Sequence, residues 1–201
     1  MIWFSSDWHF GHTNILLHQP ARSRAFGCVE EMDARLIDQI NSVVQPEDEI
    51  YFLGDFAWKA SKYGHYRQRL NVRRLYVCQG NHDSNSLRTH VTSMRDMICR
   101  KFAGHKIHLC HYPLLSWRAL YHGSLHLYGH SHGMYEKSLD QMFPGRRAMD
   151  VGIDAVFQRT GAWLPISLDE VIESLAGDRE PDSDPRFPQT TGLDLALALG
   201  E

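Results

Sequence analysis

Apolar residues fall along this chain in short runs that stop abruptly at polar or glycine-rich positions. "MIWFSS" (1–6) is short, apolar and followed at once by polar residues, the pattern of a buried strand. "EIYFLGD" (49–55), "RLYVCQGNHD" (74–83) and "SLHLYGHSH" (124–132) repeat it. Residues 97–102 and 106–110 read as paired strands around Ala103-Gly104, and "DVGID" (150–154) as one more short strand. The period changes elsewhere. Val29, Met32, Leu36, Ile37, Ile40 and Val44 recur at helical spacing, with Pro46 just beyond. Tyr63, Tyr66 and Leu70 suggest a second helix. "SLDEVIESLAG" (167–177) opens with a capping box, Ser167 and Glu170, and reads as a last helix. Strands alternating with helices, then hairpin-like strands, predict a mixed α/β domain over residues 1–177. Residues 178–201 begin "DREPDSDPRFPQTTG", rich in Pro and charge, and read as a tail.

Composition narrows the class. The chain has 201 residues, enough for one domain with a substantial core, and 43% hydrophobic and 22% charged residues are ordinary for a globular protein. A net charge of -3 advertises no nucleic-acid field, although the run "YRQRLNVRR" is locally basic. A solvated helix face is the ordinary reading of that run. The four cysteines, Cys28, Cys78, Cys99 and Cys110, form no CxxC pair, which suits reduced thiols in a cytoplasmic protein. No apolar run approaches membrane-spanning length, and "MIWFSSDWHF" lacks a basic leader. The unusual number is 13 histidines.

Five of those histidines stand where the apolar runs end. Asp7-Trp8-His9, Gly54-Asp55, Gly80-Asn81-His82-Asp83, His111 and Gly129-His130-Ser131-His132 each follow a run. In open α/β sheets, ligands bind outside the carboxyl ends of the strands. Side by side, these ends would gather carboxylates, an amide and imidazoles. Such a set would be expensive to bury bare and suits divalent metals. The donors exceed what one ion can use, so two ions are expected. Each piece alone has a bland reading, since Gly-Asp is an ordinary turn and Asn, His and Asp favour loops. Five occurrences in order, each at the end of an apolar run, make chance a poor explanation.

The ordered set DWH … GD … GNHD … H … GHSH resembles the calcineurin-like metallophosphoesterase superfamily. "SDWHFGHTNI", "FLGDF", "LCHYP" and "YGHSHG" are similar to a small bacterial and phage branch of predicted phosphoesterases. The resemblance implies a four-layer α-β-β-α sandwich, two mixed sheets flanked by helices. It implies that Asp7, His9 and His132 hold one metal, that Asn81, His111 and His130 hold the other, and that Asp55 bridges. Manganese is the first expectation, with iron, zinc, nickel or magnesium as alternatives. His82 would contact the phosphoryl oxygens or protonate the leaving group, with Asp83 orienting it. A hydroxide between the metals would be the nucleophile.

Other residues follow from position. His12 and Arg24 lie near the first motif and could face the phosphate, with loop hydrogen bonding as the alternative. Phe56 and Trp58 offer a stacking surface, although core packing is the ordinary role of such a tryptophan. His122 and His126 are candidates to support the last motif. The expectation is a dinuclear hydrolase of small phosphate esters or nucleotides, with a lean to diesters. Phosphomonoesters, a small nuclease acting on nucleic acid, and a non-catalytic metal-binding scaffold are the alternatives. The presence of His82 argues against the scaffold.

Overall fold

The structure, a computed structural model, describes residues 1–176, so the expected tail lies outside it. The strands are β1 (Ile2–Ser5), β2 (Glu49–Phe52), β3 (Arg74–Cys78), β4 (Ser93–Arg95), β5 (Met97–Phe102), β6 (His105–Cys110), β7 (Leu125–Tyr128), β8 (Ala148–Asp150) and β9 (Ile166–Ser167). They form two mixed sheets. The first runs β4-β3-β2-β1-β9, parallel except for β9. The second runs β5-β6-β7-β8, parallel except for the β5–β6 hairpin.

Side chains alternate along the central strands, and each face has its own core. Trp3, Ile50, Phe52, Leu75 and Val77 pack into one cluster. Their neighbours Phe4, Tyr51, Leu53 and Cys78 pack into the other. The second cluster also holds Ile98, Phe102, Ile107, Leu109, Leu125 and Leu127, so it is the layer between the sheets. The first faces helices α1 (Ile15–His18), α2 (Pro20–Ala25), α3 (Val29–Val43) and α4 (Tyr63–Arg69). On α3, Met32, Leu36 and Ile40 are fully buried, as the 3.6-residue spacing predicts. Glu30 and Glu31 favour its positive end. Truncating any of those three core residues to alanine should cost about 2–5 kcal/mol. This is the expected arrangement of two sheets with flanking helices.

The outer face of the second sheet is more polar. His108 and His126 are register partners there and both are buried. Trp117 covers His126 at 5.1 Å between ring centroids. The remaining helices are α5 (Glu136–Met142), α6 (Ile153–Thr160) and α7 (Leu168–Ala176). The capping box forms at the start of α7: Glu170 Oε2 accepts from the Ser167 N–H at 2.8 Å, and Ser167 Oγ accepts from the Glu170 N–H at 3.3 Å.

One expected strand is displaced. "DVGID" is not extended throughout, because β8 ends at Asp150 and Gly152 turns the chain into α6. Asp154 therefore stands in the first turn of a helix. Among the described residues, no helix is long and apolar enough to cross a membrane.

Candidate metal centre

The first three parallel strands end at the same edge of their sheet, and the loops beyond them continue the pairing. Asp7 N–H donates to Gly54 O at 2.9 Å, His9 N–H to Asp55 O at 3.0 Å and Phe10 N–H to Phe56 O at 3.1 Å. Alternation persists in this stretch. Trp8, Phe10 and Phe56 are fully buried in an aromatic cluster, with Trp8 and Phe52 centroids 4.2 Å apart. Asp7 and His9, which alternate with Trp8 and Phe10 in sequence, turn the other way. The apolar residues therefore anchor the loop that aims the polar ones.

The second sheet supplies the other half. Loops after β6 and β7 carry His111, His130 and His132. Two groups of ligand atoms result, Asp7 with His9 and His132, and Asp55 with His111 and His130, each lying within 4.8 Å of one another. Asp55 Oδ2 is 3.5 Å from His9 Nε2 and 3.5 Å from His111 Nε2, so one carboxylate oxygen faces both groups. Asn81 Oδ1 lies 2.9 Å from His111 Nε2 and joins the second group.

The backbone is strained to achieve this. Asp7, His9, Asp55, His130 and His132 all have positive φ, at 60°, 51°, 63°, 67° and 49°. Such angles are uncommon outside glycine and are held only where surrounding structure insists on them. Gly80 provides room for Asp55, since a Cβ there would collide with Asp55 Oδ1 and its backbone nitrogen. Gly129 does the same for Asp7, whose carboxylate also accepts the His130 N–H at 3.0 Å.

Three imidazoles have their Nδ1 occupied and present Nε2 inward. His111 Nδ1 lies 2.6 Å from Leu53 O, His132 Nδ1 lies 2.6 Å from Asp154 Oδ2, and His9 Nδ1 lies 3.3 Å from His12 Nδ1. Metal-binding histidines are oriented in this way. His9 Nε2 is buried without a hydrogen-bond partner, an expense that a cation would remove. Two carboxylates, an amide and four imidazoles fit divalent ions of intermediate softness.

Burial sets the charges. It pushes Asp7 up to about 6, against the pull of His132. Burial, then the Arg22 charge, drives His9 well below the ordinary imidazole value. His130 is lowered by burial and by His111. Burial would also depress His132, but the hydrogen bond to Asp154 and the charge on Asp7 outweigh it and hold this ring above its ordinary value.

Two residues central to this arrangement were not singled out from the sequence. Arg22, fully buried, grips both oxygens of Asp154 at 2.8 and 2.6 Å and donates to the carbonyls of Asp7 (2.6 Å) and Trp8 (3.0 Å). Asp154 passes that hold to His132. Its signal was available, because it follows an apolar run and a glycine as the other site carboxylate Asp55 does. Arg22 gave no signal, since an arginine in a short helix ordinarily faces water. Arg24, two residues on, does so.

Three expectations change. Asp83 does not meet the His82 ring. Its oxygens accept the amides of Phe56, Asp55 and Gly80 at 2.9, 2.9 and 3.0 Å, so it ties the GNHD loop to the Asp55 loop. Asp150 acts similarly on the last loop, accepting from Ser131 Oγ and the Gly133 amide at 2.6 and 2.9 Å. Trp58 is not core: it is 45% exposed and stacks on His12 with centroids 4.0 Å apart. His12 is buried, lies against His9, and is lowered by burial to about 4. Finally, His126 does not support the last motif, because its ring nitrogens meet His108 O and the Leu114 amide. His122 lies in the turn before β7. His82 is exposed at the mouth, 5.3 Å from His9 and 5.4 Å from Trp58 between centroids.

Comparison with known proteins gives the family. Residues 2–147 match the calcineurin-like phosphoesterase superfamily domain. An uncharacterized protein of Methanocaldococcus jannaschii is 30% identical over 175 residues, covering 86% of this chain and 89% of that one. The crystal structure of a protein of unknown function from Aquifex aeolicus superposes with a TM-score of 0.69 at 24% identity, over 87% of this chain and 98% of that one. A phosphoesterase from E. coli is matched more loosely, with a TM-score of 0.36 at 18% identity over 65% of this chain and 69% of that one. With that domain spanning both halves of the centre, the chain belongs to the calcineurin-like phosphoesterase superfamily and is a metallophosphoesterase.

Proposed function

We propose that this enzyme hydrolyses phosphodiesters with two divalent metal ions, manganese foremost. The observation carrying this reading is the position of Asp55, whose Oδ2 is 3.5 Å from an imidazole of each ligand group. Asp7, His9 and His132 would hold one ion, Asn81, His111 and His130 the other, and Asp55 would touch both. Two such ions, when bound, offset phosphoryl charge and make water a competent nucleophile near neutral pH. The water oxygen bonds to phosphorus as the bond to the leaving oxygen breaks. One water proton goes to solvent and the leaving oxygen takes up another.

His82 is the residue suited to deliver that second proton or to hydrogen-bond the phosphoryl oxygens. It stands at the mouth beside His9, with its backbone N–H fixed on Asp55 Oδ1 at 2.9 Å. The lean to diesters is supported by Arg22. A monoester dianion is commonly met by an arginine fork. Among the described residues, the arginine that reaches the ligand loops donates inward with all three nitrogens. A diester, with one charge, needs no such clamp.

Initial rates on an aryl phosphodiester and its monoester, each with Mn²⁺, test the reading, with Asp55→Ala as control. Diester preference that disappears in the control supports it. Monoester preference overturns the substrate assignment. A chain that holds two ions and cleaves neither ester would be the scaffold instead.

A further inference from the structure

Two exposed aromatic rings stand on the histidines of the centre, one beside each ligand group. Trp58 lies flat on His12, interplanar angle 7°, and is 5.4 Å from His82, so one face is packed and the rest is open. His12 in turn touches His9 of the first group. Tyr112 is 43% exposed and meets the second group edge-on, 4.9 Å from His111 and 4.8 Å from His130. Exposed aromatics are ordinary when scattered over a surface, but these two flank the candidate ligand groups, one on each side. A cavity of about 420 Å³ opens beside Gly11, with Lys59, Lys62 and Arg69 on one wall and Glu30 and Asp33 of α3 on the other. Lys59 follows Trp58 directly.

We propose that the substrate is a nucleotidic phosphodiester whose two bases stack on Trp58 and Tyr112, an inference that rests on the diesterase reading above. A phosphate held between the ligand groups has one ester arm towards His82 and Trp58 and the other towards Tyr112. Aromatic stacking tolerates every base, because each offers a π face, so this arrangement selects the nucleotide class rather than a sequence. The lysines beyond Trp58 suit a further backbone phosphate on that arm.

The test uses the full chain with Mn²⁺ and three probes: the dinucleotide TpT and its two analogues in which one thymine is replaced by an abasic tetrahydrofuran. Each missing base should lower kcat/KM by about tenfold, through KM. Trp58→Ala should slow TpT by a similar factor, yet leave unaffected the one analogue that lacks the base Trp58 holds. Tyr112→Ala should show the mirror pattern, and Trp58→Phe should keep the preference. Abasic analogues cleaved as well as TpT would overturn the proposal. So would Trp58→Ala slowing all three probes equally, which would make Trp58 a prop for His12. If TpT resists while bis(4-nitrophenyl) phosphate is cleaved, the nucleotide assignment falls and the diesterase reading stands. If both resist, the diesterase reading falls.

Discussion

His132 Nδ1 lies 2.6 Å from Asp154 Oδ2, and Asp154 is itself held through both oxygens by Arg22. One ring is thereby turned so that Nε2 faces Asp7 and His9. Asp154→Asn keeps the shape and removes the charge. We expect affinity for the ion at the Asp7 group to fall by about 10- to 100-fold, with the Asp55 group little changed. Calorimetric titration of the metal-free chain with Mn²⁺ would separate the two sites.

Arg22 is a charge buried to 0% exposure, with Asp154 its ionic partner. Burial opposes ionisation of Asp154, but Arg22 and His132 outweigh it and hold the carboxyl below its ordinary value. Arg22→Ala leaves that buried carboxylate with the His132 ring alone and frees the carbonyls of Asp7 and Trp8. Loss of about 3–5 kcal/mol is expected in denaturant unfolding without metal. A change below about 1 kcal/mol would mean the pair is replaceable by water.

Asp83→Asn leaves an acceptor but halves what the side chain offers to three amides. About 1–3 kcal/mol of stability should be lost. Because the Asp55 loop is what Asp83 holds, the second ion should also bind more weakly. An Asp83→Asn chain that kept both ions and full stability, yet lost turnover, would return Asp83 to the role of orienting His82.

His126 sets an acid limit remote from the centre. It is fully buried, donating from Nδ1 to His108 O and accepting the Leu114 N–H at Nε2, so its neutral form is the one that fits. Burial lowers it from 6.5 to about 4. Above pH 6.5 the folded and unfolded chains are equally deprotonated here. Between 6.5 and about 4 the unfolded chain binds a proton that the folded one refuses, so stability falls on acidification, by as much as about 3 kcal/mol. Thermal melts across that range should show a shallower slope in His126→Gln, which keeps an acceptor for Leu114.

The strand-end residues were legible because each follows an apolar run, and parallel pairing brings such ends together whatever lies between. Relationships that depend on side-chain direction were not. Arg22 and Asp154 are 132 positions apart, and neither pattern nor spacing connects them. Trp58 could be placed near the bridging residue, but whether it faced inward or outward depended on His12 being there to stack against. "DVGID" misled because β8 and the helix entry share one apolar stretch, and only Gly152 divides them.

The centre draws its ligands from two sheets. Asp7, His9, Asp55 and Asn81 come from the β1–β3 sheet, and His111, His130 and His132 from the β6–β7 sheet. Neither sheet carries a complete group, since His132 completes the Asp7 set and Asp55 completes the His111 set. The ions would therefore rivet two halves of the molecule across their shared core. A chain whose sheets dock out of register would have nothing to load, so metal uptake would act as a proofreading step for the fold, and removing metal should loosen the docking of the sheets before it unravels either one.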